Sequence, residues 1–215
     1  MLNSIARPVV THVINPAVRG LARLGVTPDM ITLVGAAIAT AGAIYFLGRG
    51  SLVIGPWVIA ASVIADLFDG ALARMQGTAG RWGAFLDSSL DRVVDGAIFA
   101  SLAYWLMTEN ETGLVVLTLI ALVAGQVVSY VKARAEGLGM TCNVGLMERA
   151  ERLIIVLLAC FLEGVGVPYA LLVGLVILAV GTSLTVVQRM LHVREQAKAD
   201  SGPPPAAPAP APGEG

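Results

Sequence analysis

The chain has 215 residues, of which 56% are hydrophobic and only 13% charged, and its mean hydropathy is +0.79. A water-facing shell draws on about 25% charged residues, so a soluble globular domain is excluded and an integral membrane protein is implied. The net charge of −1 points to no partner, nucleic acid included, and Cys142 and Cys160 form neither a spaced pair nor a metal pattern.

Residues 1–24 set Leu2, Ile5, Val9, Val13, Leu21 and Leu24 among Arg7, Arg19 and Arg23. This reads as an interfacial amphipathic segment. Pro8 and Pro16 interrupt it, so it lacks the continuous apolar stretch of a signal peptide. Thr27-Pro28-Asp29 is a helix start, with Thr as N-cap, Pro in the first position and Asp in the first turn. It opens a first span over 28–48, which Gly48-Arg49-Gly50 closes. Further spans are predicted over 52–75, 84–107 and 112–135, the first and last of them marked by long uncharged runs. A shorter one over 147–163 begins among Glu148, Arg149, Glu151 and Arg152, and a sixth covers 167–190. The fold class is therefore all-α, a six-helix transmembrane bundle over residues 25–192. Residues 193–215, ending in a Pro/Ala/Gly run, are read as a disordered tail.

With six spans, every lysine and arginine but Arg49 falls on one side. The positive-inside rule makes that side cytoplasmic and places both termini there, in a cell (inner) membrane.

Four carboxylates stand where apolar residues belong. Asp66 and Asp69 end the second span; Asp87 and Asp91 begin the third. Asp66, Asp69, Gly70, Ala73 and Arg74 form one helical stripe, and Gly83, Asp87 and Asp91 another. Consecutive antiparallel spans put both stripes at the same depth, facing each other. Intramembrane carboxylates are costly and mark functional sites. Four together need cations, and oxygen-only donors without His or Cys select Mg²⁺ or Mn²⁺. A pair of such ions is a clamp for in-line displacement at phosphorus. The small residues on both stripes suit either close helix packing or a substrate lying against the backbone. Backbone N–H groups at Asp29, Met30, Ile31 and Thr32 offer a phosphate contact at a helix N-terminus, or simple capping. The Gly77-Thr78-Ala79-Gly80 loop is placed to close over a nucleotide.

The pattern Asp66-x2-Asp69-Gly70-x2-Ala73-Arg74-x8-Gly83-x3-Asp87-x3-Asp91 resembles, at every fixed position, the signature of the CDP-alcohol phosphotransferases. That resemblance spans residues 28–190. It implies displacement of CMP from a CDP-linked donor by an alcohol, a homodimer, divalent metal, and a site open to cytosol and lipid. It assigns Asp66, Asp69, Asp87 and Asp91 as metal ligands, two ions per site, with Asp91 also the general base. Gly70, Ala73 and Gly80 would lie against the CDP-diacylglycerol nucleotide, and Arg74 would bind a donor phosphate.

The remaining basic residues bear on the acceptor. Lys132, Arg134, Arg149, Arg152 and Arg189 all fall on the cytoplasmic side. A phosphomonoester needs such a cluster and a neutral alcohol does not, although Glu148 and Glu151 are placed to pair with the arginines. The strings Ser129 to Glu136 and Glu148 to Leu153 are similar to those of the actinobacterial phosphatidylinositol-phosphate synthases. This similarity implies inositol 1-phosphate as acceptor, held by Lys132, Arg149 and Arg189. Glycerol 3-phosphate, as in the phosphatidylglycerol-phosphate synthases, is the alternative. An ion transporter using the Asp cluster is a third reading, disfavoured because the cluster sits at one face and the chain has no internal repeat.

Overall fold

A computed structural model describes residues 20, 22, 25–78 and 80–200, with the side chains of residues 65–67 and 200 excepted. The amphipathic segment over 1–24, the tail from 201, Ala79 and the side chain of Asp66 lie outside the described residues, apart from Gly20 and Ala22.

Among the described residues from 25 onward, six α-helices follow one another: α1 Pro28–Phe46, α2 Ile54–Gln76, α3 Arg81–Thr108, α4 Thr112–Gly137, α5 Arg149–Gly164 and α6 Ala170–Asp200. Thr27 caps α1 as its sequence predicts, its side chain accepting from the Met30 N–H, with Pro28 in the first turn. A 3-10 turn over Leu47–Arg49 ends at Gly50, whose φ of 73° is left-handed. A Cβ at Gly50 would lie 2.4 Å from Trp105 Nε1, so only glycine fits there.

Four helical stretches are long and apolar enough to cross a membrane: Pro28–Arg49, Ile54–Gln76, Thr112–Gly137 and Ala170–Ala199. The other two helices differ for separate reasons. The first half of α3 carries Arg81, Asp87, Asp91, Arg92 and Asp95. Helix α5 has 16 residues, about 24 Å at roughly 1.5 Å per residue, against a hydrocarbon layer of about 30 Å. Large apolar side chains face outward, Trp57 at 65% and Val123 at 61% exposure among them, while Arg152 and Arg189 are buried. That inversion of the soluble pattern is what a lipid solvent selects.

The helices pack as a closed ring in the order α1, α3, α4, α6, α5, α2 and back to α1. Small residues on α1 make this possible. Ala36, Ala39, Gly42 and Ala43 are buried on one face, and a Cβ at Gly42 would already lie 3.0 Å from Val58 on α2. So α1 is wedged between α2 and α3, and the two Asp-bearing helices hardly touch. The expected facing of their stripes holds across a gap and not through close packing.

Helix α6 runs ten residues beyond the predicted end of its span, through residues 193–200 assigned to the tail. Its extension has a tertiary partner. Gln196 Nε2 donates to the Thr141 carbonyl at 2.6 Å, and its Oε1 accepts from the Thr141 N–H at 3.0 Å. This clasps α6 to the loop over 138–148.

Candidate active site

Three helix ends meet around a first cavity of about 430 Å³. The start of α1 supplies Thr27, Pro28, Asp29 and Thr32; the end of α2 supplies Asp69, Gly70, Ala73 and Arg74. The start of α3 and the loop before it supply Thr78, Gly80, Trp82, Gly83, Ala84 and Asp87. Asp69, Gly70, Ala73 and Arg74 of one signature stripe and Gly83 and Asp87 of the other thus line one space. A Cβ at Gly83 would meet nothing within 4 Å, and one at Gly70 only the Arg74 guanidinium, at 3.4 Å. The missing side chains therefore keep a cavity open and do not bring helices together.

Of the four residues at the α1 start, Asp29 and Thr32 line this cavity. Met30 is 51% exposed and its N–H is taken by the Thr27 cap; Ile31 packs beside Leu72. One helical turn separates Asp29 from Thr32, which leaves the two residues between them facing elsewhere. Trp82, which the sequence reading passed over, donates from Nε1 to Asp29 Oδ2 at 3.0 Å and ties the start of α3 to that of α1.

Thr32 donates its hydroxyl to Asp69 Oδ2. Neither Asp69 nor Asp87 forms an ion pair among the described residues. Asp87 is nevertheless in electrostatic range of both Asp69 and Asp91. Arg74 is in range of Asp69 as well, but neither carboxylate is ion-paired, and crowded oxygen donors of this kind fit a hard divalent ion. No cluster of three acidic, His or Cys side chains forms among the described residues, where the fourth signature carboxylate, Asp66, is lacking.

A second cavity, of about 900 Å³, opens on the other side of Ala84, which lines both. Asp91 faces it, along with Arg92, Gln126, Ser129, Lys132, Glu148, Arg149, Arg152 and Arg189. The three residues expected around an acceptor phosphate, Lys132, Arg149 and Arg189, are therefore brought together with Asp91, while Arg134 is not among them.

Their engagements differ. Lys132 Nζ is 4.0 Å from Glu136, an exposed pair that costs little to break. Arg149 Nη1 is 2.8 Å from Asp91 Oδ1, and its Nε is 3.4 Å from Asp95 Oδ1. Its Nη2 is buried with no partner. Arg189 donates from Nε to the Val144 carbonyl at 2.8 Å, from Nη1 to the Val128 carbonyl at 2.7 Å, and from Nη2 to Glu148 at 3.2 Å. Three of its five N–H groups are thus engaged in joining α6 to α4 and to the 138–148 loop.

Asp95 is the residue this site adds to the sequence reading. It is 4% exposed, one turn beyond Asp91 on α3. Its carboxylate lies 2.8 Å from Arg152, 3.4 Å from Arg149 and 3.9 Å from Arg92. Arg149 and Arg152 thus pair across the bundle with α3, and not with Glu148 and Glu151 beside them. Gly125 makes room for this: a Cβ there would lie 3.0 Å from Arg152 Nε. The i, i+4 spacing of Asp91 and Asp95 was the available signal.

Two cavities sharing a wall, one acidic and one basic, suit a donor and an acceptor that react at their junction. The sequence model of CDP-alcohol phosphatidyltransferases matches residues 25–187. The chain belongs to the CDP-alcohol phosphatidyltransferase family. It is 46% identical over 210 residues to a phosphatidylinositol phosphate synthase of Streptomyces avermitilis, covering 94% of this chain and 86% of that one. A namesake in Corynebacterium glutamicum is 40% identical over 193 residues, covering 89% and 88%. The fold superposes with a TM-score of 0.82 on the Mycobacterium tuberculosis phosphatidylinositol phosphate synthase with CDP-DAG bound, at 42% identity over 85% of this chain and 94% of that one. The same enzyme in complex with manganese and citrate also gives 0.82, at 43% identity over 84% and 88%. This phosphatidyltransferase is accordingly a multi-pass membrane enzyme, and the ring of helices around the two cavities is the family fold.

Proposed function

We propose that the chain is a phosphatidylinositol phosphate synthase, transferring the phosphatidyl group of CDP-diacylglycerol to inositol 1-phosphate with release of CMP. The observation that carries the acceptor assignment is the charge of the second cavity. Asp91 and Asp95 are the only carboxylates that pair with Arg92, Arg149 and Arg152 among the described residues, Lys132 stands nearby, and Arg149 Nη2 is buried without a partner. A buried unpaired guanidinium N–H is costly, and a phosphomonoester oxygen satisfies it.

The donor nucleotide then lies in the first cavity against Gly70, Ala73 and Gly80, with Arg74 on a donor phosphate. Mg²⁺ or Mn²⁺ held by Asp66, Asp69, Asp87 and Asp91, two ions per site, supplies charge neutralisation of the pyrophosphate and the departing CMP. Lys132 and Arg149 hold the acceptor phosphate, and Arg189 fixes the cavity wall with two N–H groups left to turn toward it. Asp91 takes the proton from the acceptor hydroxyl as that oxygen attacks the phosphatidyl phosphorus and the bond to CMP breaks. Asp91 lines the acceptor cavity and stands on α3 one turn from Asp87, which lines the donor cavity.

Inositol 1-phosphate is favoured over glycerol 3-phosphate because the relatives are named phosphatidylinositol phosphate synthases. Purified protein incubated with CDP-diacylglycerol, Mg²⁺ and either acceptor, followed by mass analysis of the lipid, tests this. Phosphatidylinositol phosphate is the expected product; phosphatidylglycerol phosphate alone would overturn the assignment. A transporter reading has no support once the family is known.

We further propose that the enzyme is a homodimer in the cell membrane, with all six helices spanning and both termini in the cytosol. A cysteine introduced at Glu111 is expected to react with an impermeant reagent from outside, and one after Lys198 is not.

A further inference from the structure

The structure assigns Asp95 as a positioning residue for acceptor recognition: by gripping Arg149 and Arg152 from below, it fixes the guanidinium that meets the acceptor's phosphate. This inference rests on the reading of the second cavity as the acceptor site.

Helices α3 and α5 are not neighbours in the ring, and their backbones hardly approach. What joins them beside the cavity is ionic. Asp91 and Asp95, one turn apart on α3, meet Arg149 and Arg152, one turn apart on α5. Arg149 is a long side chain bridging this gap, and its rotamer freedom would otherwise be large. Asp91 holds one edge through Nη1 at 2.8 Å and Asp95 holds Nε at 3.4 Å. The planar fork then has one free nitrogen, Nη2, in a residue that lines the cavity. Once Asp91 turns to the acceptor hydroxyl, Asp95 is the remaining carboxylate that keeps Arg149 in place. Its other oxygen is 2.8 Å from Arg152 Nη2, a side chain 2% exposed, so Asp95 is itself locked. A rigidly held fork binds a phosphate more tightly than a mobile one because less ordering is left to be done on binding.

A positioning role and a purely Coulombic one predict opposite signs. Asp95→Asn removes a negative charge beside an anion site. If charge alone mattered, the phosphorylated acceptor would bind more tightly. If Asp95 positions Arg149, it binds more weakly despite the gain in positive charge. The kinetics of the Mg²⁺-loaded enzyme with CDP-diacylglycerol and inositol 1-phosphate decide between them, alongside equilibrium binding of inositol 1-phosphate alone. The expected result for Asp95→Asn is an acceptor KM and Kd raised about tenfold, the equivalent of one charge-assisted hydrogen bond, with donor KM unchanged. Asp95→Asn also strands the buried Arg152, so Arg152→Met and the double variant Asp95→Asn/Arg152→Met are measured as well. The double variant removes the stranded charge and regains thermal stability, but acceptor affinity stays below that of Arg152→Met alone, because Arg149 is still unanchored. An acceptor KM that is unchanged or lowered in Asp95→Asn, or that recovers together with stability in the double variant, overturns the inference. Failure of the wild-type enzyme to use inositol 1-phosphate would instead overturn the acceptor assignment, which keeps the two claims separable.

Discussion

The two cavities flanking Ala84 are built from opposite charge. On the α1–α2 side, Asp69 and Asp87 stand without a basic ion-pair partner among the described residues; on the α4–α5–α6 side, arginines outnumber the carboxylates they face. Each half is therefore incomplete in a different way, one wanting cations and the other an anion. In the proposed reaction the two substrates, a metal-bound pyrophosphate and a phosphomonoester, would complete them. Helix α3 carries the change of sign within one turn, from Asp87 in the first cavity to Asp91 in the second. Both substrate phosphates are anionic, and on the proposed assignment separate devices, metal on one side and guanidinium on the other, would let them approach without repelling each other.

The comparison can be broken most severely at its junction. Asp91→Asn is expected to lower kcat by about two to four powers of ten, the usual cost of losing a general base, while CDP-diacylglycerol binding survives. Near-normal turnover would mean that another group accepts the proton.

Next in size is the scaffold of the basic half. Arg189→Ala leaves the Val144 carbonyl without its side-chain donor and takes a second bond from the Val128 carbonyl, at a cost of about 2 kcal/mol in folding stability. Thermal unfolding in detergent checks this. Arg189→Lys should not rescue it, since one ammonium does not span three acceptors on two elements. A loss of acceptor affinity with unaltered stability would instead make Arg189 a direct phosphate ligand.

The mildest test is a mirrored pair. Lys132→Ala is expected to raise the acceptor KM about tenfold with little effect on the donor, and Arg74→Ala to do the reverse, each losing one charged hydrogen bond of about 1.5 kcal/mol. Steady-state kinetics in both substrates would show the two variants diverging. A parallel loss in both would mean that the cavities are not separate sites.

The acidic half was the more legible in sequence, for a physical reason. Its residues repeat at helical spacing along two single helices, so a stripe such as Asp69, Gly70 and Ala73 announces one face. The Thr27 cap was equally local. The basic half depends on pairings between α3 and α5, which lie far apart in the chain and do not pack side by side. Periodicity does not report them, and the arginines were matched instead to the nearest glutamates in sequence. Asp95 was overlooked although it continues the Asp87–Asp91 stripe, because the signature ends before it. The wedging of α1 between α2 and α3 was likewise hidden, since it follows from the small residues of α1 and not from loop length. The end of α6 was taken for tail because its residues are polar; Gln196 holds it in helix through a contact with Thr141, 55 positions away.

The central claim is that an anionic acceptor is captured in the basic cavity independently of the donor. Calorimetric titration of inositol 1-phosphate and, separately, of CDP-diacylglycerol into the wild-type enzyme and Arg149→Ala, both with Mg²⁺, tests it most directly. The account predicts that Arg149→Ala weakens inositol 1-phosphate binding about ten- to a hundredfold, as expected for one or two charge-assisted hydrogen bonds, and leaves CDP-diacylglycerol binding unchanged. Unaltered acceptor affinity, or a loss confined to the donor, would contradict it.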